Sequence, residues 1–151
     1  MIRIRFQILL IFFTLGIVSS LMIAQENKLN DKAEGIYNQN PAFIFSEIEN
    51  GISAGKVRMI SKYLSAQTYI NLFNGITGYY SSNQAYYVLV DFFKLYRVTY
   101  FNFDNVHTDE GNPFATGTYK YLFRGKHETS EVYVSLKHVG KRWKITQITI
   151  N

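Results

Sequence analysis

The groups able to do acid–base or coordination chemistry in this sequence are few and dispersed. Three histidines, His107, His127 and His138, stand beside the turn-forming stretches Asp109-Glu110-Gly111-Asn112-Pro113, Gly125-Lys126 and Gly140-Lys141. In an antiparallel meander successive turns fall at opposite ends, so His127 is separated from the other two. His107 and His138 share an end but have a strand between them, about 10 Å apart at roughly 4.8 Å per strand. One ion with bonds of about 2 Å cannot bridge that gap. His107 with Asp109 and Glu110 leaves a hard cation as the remaining metal reading, yet such an ion takes more convergent oxygen ligands than this. No metal and no cofactor are therefore expected. The absence of cysteine removes disulfides, thiolate sites, cysteine nucleophiles and a lipid-anchored cysteine. "KHVGKRWK" gathers Lys137, Lys141, Arg142 and Lys144 on one hairpin. Such a cluster suits an acidic partner or an anionic membrane surface, but it is short and interrupted by Val139 and Trp143. It reads better as a solvated tip that discourages edge pairing.

Around these groups the chain shows three helical stripes and then a strand period. Asn40-Pro41 supplies a cap and a first-turn proline, and Phe45, Ile48 and Ile52 fall on one helical face. Gly55 closes that helix, and Val57, Ile60 and Leu64 mark a shorter one. Asn74-Gly75 sits between two extended runs as a hairpin signal. Ser81 with Gln84 forms a capping box that opens a helix running to about Lys94. Ala85, Val88, Leu89 and Phe92 are its apolar stripe, and Gln84, Tyr87, Asp91 and Lys94 its wet side. Beyond it Phe101 and Phe103 alternate with Tyr100, Asn102 and Asp104, which is a strand. Three more strands are predicted at about 114–124, 128–139 and 142–151. The aromatic stretch "GYYSSNQAYYVLVDFFKLYRVTYFNF" is thus one amphipathic helix and one strand feeding a common core.

The start of the chain is of another kind. Arg3 and Arg5 precede an apolar run from Phe6 to Val18, and Ser19, Ser20 and Ala24 offer small residues for cleavage. Residues 1–24 are expected to be a signal peptide, residues 25–40 a linker and residues 41–151 the folded domain; an uncleaved membrane anchor is the alternative. The expected location is periplasmic or secreted. The formal charge of +5 includes Arg3 and Arg5, and without them fourteen basic residues face eleven acidic ones. That excess is too mild for a nucleic-acid partner, which takes a concentrated basic face.

Helices followed by an antiparallel meander make an α+β layout with the helices on one face of the sheet. The order resembles the nuclear-transport-factor-2-like cone, a single domain of helices packed on a strongly curved antiparallel sheet. Residues 43 to 151 resemble the exported bacterial family named domain of unknown function 4783. The resemblance lies in "EIENGISAGKVRMISKYLS", "YYSSNQAYYVLVDFF", "ATGTY" and "VYVSLKHVGKRWKITQITIN". It implies fold and export and brings no activity with it. The stretch "KLYRVTYFNF" is more aromatic than the family pattern.

On that fold a ligand site, where there is one, is the mouth between the helices and the concave sheet face. Gly117 is expected to face the helices and let them approach. Alternation then turns Ala115, Tyr119, Tyr121 and Phe123 inward, with Val132, Val134 and Leu136 on the next strand. On the last strand Trp143, Ile145 and Gln147 are expected inward. Ile148 and Ile150 break that parity and predict a bulge near Gln147 or burial of both faces. The pocket candidates are Tyr119, Tyr121, Trp143 and Gln147, apolar walls with neutral hydrogen-bonding groups suited to an uncharged ligand. No acid–base side chain joins them, and tyrosine, with an ordinary pKa of about 10, is a poor base. The expectation is a non-catalytic binding or interaction domain for a small apolar ligand or a protein. The alternatives are an enzyme of the isomerase or dehydratase type and a homodimerisation module that pairs through the convex face.

Overall fold

The computed structural model describes Gln25 and residues 40–109 and 111–151. The expected leader, and the linker apart from Gln25 and Asn40, lie outside the described residues, as does Glu110. Helix α1 (Pro41–Ser53) begins where Asn40 accepts the Ala42 N–H at 2.9 Å. It ends in a Schellman turn: Lys56 N–H donates to Gly51 O and Gly55 N–H to Ile52 O, both at 2.8 Å. That turn needs a left-handed residue, and Gly55 supplies it at φ +62°. Helix α2 (Val57–Ile60) and a 3-10 turn (Ser61–Tyr63) lead into β1 (Leu64–Leu72). The Phe73–Ile76 loop returns the chain as β2 (Thr77–Tyr80). Helix α3 (Ser82–Leu95) opens with both halves of the Ser81–Gln84 capping box formed.

The meander follows as β3 (Arg97–His107), β4 (Phe114–Phe123), β5 (Lys126–Val139) and β6 (Arg142–Ile150). All six strands form one sheet in the order β2-β1-β6-β5-β4-β3, antiparallel except for the β1–β6 pair. Where that parallel ladder shifts register, the Thr68 hydroxyl donates to Ile145 O at 3.2 Å and shares its proton with Ser65 O at 3.4 Å. The buried sides of α1, α2 and α3 and one sheet face make a single core that includes Phe45, Ile48, Leu89, Phe92, Tyr119 and Ile148. The domain is α+β and the sheet is curved, as the order of elements predicts.

Bulges on β6 and β3 set which side chains meet that core. On β6, Leu136 faces Ile145 whereas Ser135 faces Gln147, so Thr146 is the extra residue. On β3 the register shifts between Val98 and Tyr100 and again between Phe103 and Asn105. Phe103 N–H is taken by the Glu49 carboxylate at 2.7 Å, and Ser53 Oγ donates to Phe101 O at 3.0 Å. Helix α1 therefore satisfies backbone groups along the free edge of β3, which would otherwise need water.

Candidate functional site

Of the four predicted pocket residues, two meet, one stands apart and one lies on the opposite face. Tyr119 and Tyr121 turn inward and stack at 5.4 Å between centroids. Both are held among other rings. Tyr121 stacks on Phe73 at 5.1 Å and meets Tyr96 edge-on at 5.6 Å. Tyr119 packs on Phe92 and Phe93 at 6.2 and 6.0 Å. The Tyr119 hydroxyl donates to Tyr96 O, and burial pushes its phenol far above the ordinary tyrosine pKa. It holds its proton as a structural donor. Phe73, from the β1–β2 loop, is the residue that sequence reasoning missed here. A turn position gives no sign that its ring reaches the far side of the core.

Trp143 points the same way as Ile145 but is only half buried, near the β5–β6 turn, where His138 meets it edge-on at 4.5 Å. Gln147 corrects the expected inward placement. The bulge at Thr146 reverses the alternation, so Gln147 shares a face with Ser135 while Ile148 pairs with Val134 in the core. The expected role of Gly117 is corrected as well. A Cβ there would meet Asn102 O and lie 2.9 Å from Phe103 Cα, which belongs to the backbone of β3 and not to a helix. Among the described residues the buried polar side chains are Ser65, Thr68, Ser130 and Thr149, none of them an acid or a base. Glu128 pairs with Tyr121 and shares its side of the sheet, but it is exposed at the strand's start. Counting back by twos from Val132 finds it.

The face of the sheet turned away from the helices carries the more unusual pattern. Register runs without a break across all six strands through Tyr79, Tyr69, Gln147, Ser135, Phe114 and His107. A second row, two residues along each strand, is Thr77, Asn71, Thr149, Tyr133, Thr116 and Asn105. None of the twelve is Asp, Glu, Lys or Arg. Tyr69 and Tyr79 lean on each other at 5.2 Å, and Tyr79 is 73% exposed. At the other end His107 stacks on Phe114 at 4.5 Å, and Phe114 on Tyr133 at 5.7 Å. A shallow groove of about 420 Å³ lies along the first row, lined by Gln67, Tyr69, Tyr79, Ser135, Lys137, Thr146 and Gln147. A second, of about 290 Å³, runs between Asp104, Thr116, Glu131 and Tyr133. The first arrangement can stack rings and exchange neutral hydrogen bonds; it holds no nucleophile–base pair.

Known proteins place the chain by family and fold. A crystal structure of a DUF4783 family protein from Bacteroides uniformis is 18% identical over 70% of this chain and 94% of its own, with a TM-score of 0.64. One from Bacteroides ovatus is 21% identical over 75% and 94%, with a TM-score of 0.63. A hypothetical protein with a ketosteroid isomerase-like fold from Catenulispora acidiphila, solved with trimethylamine, is 10% identical over 72% and 83%, with a TM-score of 0.58. No curated protein matches the sequence. The profile of Domain of unknown function (DUF4783) matches residues 45–151, and the chain belongs to that family, on a nuclear-transport-factor-2-like fold.

Proposed function

We propose that the protein is a non-catalytic, exported binding domain whose working surface is the helix-free face of the sheet. The observation that carries this reading is the contrast between the two faces. Under the helices, where a ligand for this architecture was expected, Phe73, Tyr119 and Tyr121 stack on one another within the core. The opposite face presents two uncharged rows with partly exposed rings and amides. Rings packed on one another in this way favour a core role over a ligand-lining one. Export rests on the leader's charged start, apolar run and small residues. N-terminal sequencing of protein from the periplasm or medium should begin between about Leu21 and Glu26. Met1 on membrane-bound material would overturn that part.

The binding reading is tested by native mass spectrometry of the exported protein against a metabolite and peptide library. Adducts that form on the natural protein and vanish on Gln147→Glu are the expected result. An adduct or a turnover that ignores Gln147→Glu but is lost in Glu128→Gln would instead favour an isomerase- or dehydratase-like enzyme at the mouth beside Tyr121.

A further inference from the structure

Building on that binding reading, we infer that the two rows form a docking surface for a neutral oligosaccharide lying across the strands. Six strands at about 4.8 Å spacing make the rows about 24 Å long, enough for a chain of several sugar rings. The chemistry along the first row is graded in a way that suits such a chain. Its ends are aromatic, Tyr79 with Tyr69 and Phe114 with His107, and its middle is the Gln147 amide and the Ser135 hydroxyl. A sugar ring has an aliphatic C–H face and an equatorial rim of hydroxyls. The first packs on the electron-rich face of an exposed tyrosine. The second exchanges hydrogen bonds with amides and hydroxyls, each of which can donate and accept.

Charge and polarity separate this occupant from its rivals. A second copy of the chain would need an apolar centre to the patch. The centre is Gln147, Ser135 and Thr149, polar where such an interface takes apolar side chains, and the Gln147 Oε1 and remaining hydroxyl capacity would lose water without a partner on an apolar face. An anionic polymer would find no cation in either row: Lys137, which lines the first groove, stands beside the rows, and the Asp104 and Glu131 carboxylates of the neighbouring groove oppose it. Neutral hydroxyls satisfy the centre and are indifferent to the rim. Part of the first row is satisfied already: Tyr69 and Thr77 hydroxyls bond at 3.2 Å, and Ser135 bonds Thr146 at 3.3 Å. These bonds fix donors and rings in place, which lowers the ordering cost of binding.

Affinity electrophoresis of the exported protein tests the inference, in gels cast with a mixed-linkage β-glucan, a xylan, a mannan or a dextran, and with polygalacturonate as the anionic control. Retarded migration in at least one neutral gel is expected. Tyr79→Ala, on the free outer ring, should weaken it about tenfold, the scale of one well-placed aromatic contact. Tyr87→Ala, an exposed tyrosine of α3, should leave it unchanged. No retardation in any neutral gel, equal retardation of Tyr79→Ala and the natural protein, or retardation confined to polygalacturonate would overturn the assignment. Light scattering that finds a dimer dispersed by Gln147→Glu would overturn it in favour of a second copy. Adducts that depend on Gln147 without any neutral-gel retardation defeat the sugar assignment and spare the binding surface. Insensitivity of every adduct and every gel to Gln147→Glu defeats the surface itself.

Discussion

Replacing Gly117 by Ala adds one methyl group where β4 passes closest to the β3 bulge. The new carbon would sit 2.9 Å from Phe103 Cα and 3.0 Å from Asn102 C, with Asn102 O nearer still. All three are backbone atoms, so no side chain can rotate aside and the strand itself must move. Overpacking of this kind costs about 1–3 kcal/mol. Moving β3 also stretches the bond from Phe103 N–H to the Glu49 carboxylate, and a hydrogen bond to a charged group is worth about 1.5–3 kcal/mol. Together the loss should be about 3–5 kcal/mol, which in a domain of this size lowers Tm by roughly 10–20 °C. Urea denaturation of Gly117→Ala beside Gly125→Ala isolates the cause. Gly125 has φ +79° and open space around it, so its substitution carries only the left-handed penalty of about 1–2 kcal/mol. In a double-mutant cycle Glu49→Ala should cost less in the Gly117→Ala background than in the natural protein. Equal losses for the two glycine variants, with additive Glu49→Ala, would refute the close approach.

Three further outcomes are expected. Tyr121→Ala, which removes a ring stacked between Phe73 and Tyr119, should destabilise by about 3–5 kcal/mol; a small change in melting temperature would mean the interior is not filled. Phe92→Ala should cost a similar amount whereas exposed Asp91→Ala changes little, and coincident urea midpoints would contradict the phase of α3. Because the buried Tyr119 phenol holds its proton more tightly folded than unfolded, its contribution is complete below the unfolded pKa of about 10 and falls as pH rises above it. Stability measured from about pH 9 to about pH 11.5, the range that brackets the phenol's titration, should therefore decline less steeply for Tyr119→Phe, and parallel curves would contradict the link.

What could be read in the sequence was local. The Asn40 cap, the Ser81–Gln84 box and the Asn74-Gly75 turn each involve residues within a few positions, and each begins or joins the expected element. Strand parity through Tyr119, Tyr121, Val132 and Val134 was equally legible, because alternation needs no partner. Gln147 was not, although Ile148 and Ile150 hinted at a bulge. The position of the extra residue depends on which atoms of β5 lie opposite, and that is a long-range fact. The parallel pairing of β1 with β6 is of the same kind, and it is what brings Tyr69 beside Gln147. Both uncharged rows are therefore assembled by register alone, from residues that look like ordinary strand fillers along the chain. The filling of the interior was half visible: the tyrosines announced themselves, but Phe73 entered from a loop.

The attachment of α1 to β3 bears on how copies of this protein behave when crowded. An exposed strand edge is a template on which another chain can add a strand, and repeated addition ends in fibres. β3 is eleven residues long and rich in rings, a composition that invites such growth. Glu49 and Ser53 occupy the Phe103 N–H and Phe101 carbonyl that an incoming strand would seek, and the bulge spoils the straight ladder on either side. At the opposite margin β2 offers only four residues. Glu49→Ala should thus harm shelf life as well as melting temperature: the Ser53 bond and the bulges remain, but the Phe103 N–H is open to an incoming strand, and concentrated solutions should acquire thioflavin-positive aggregate from a seed that the natural protein ignores.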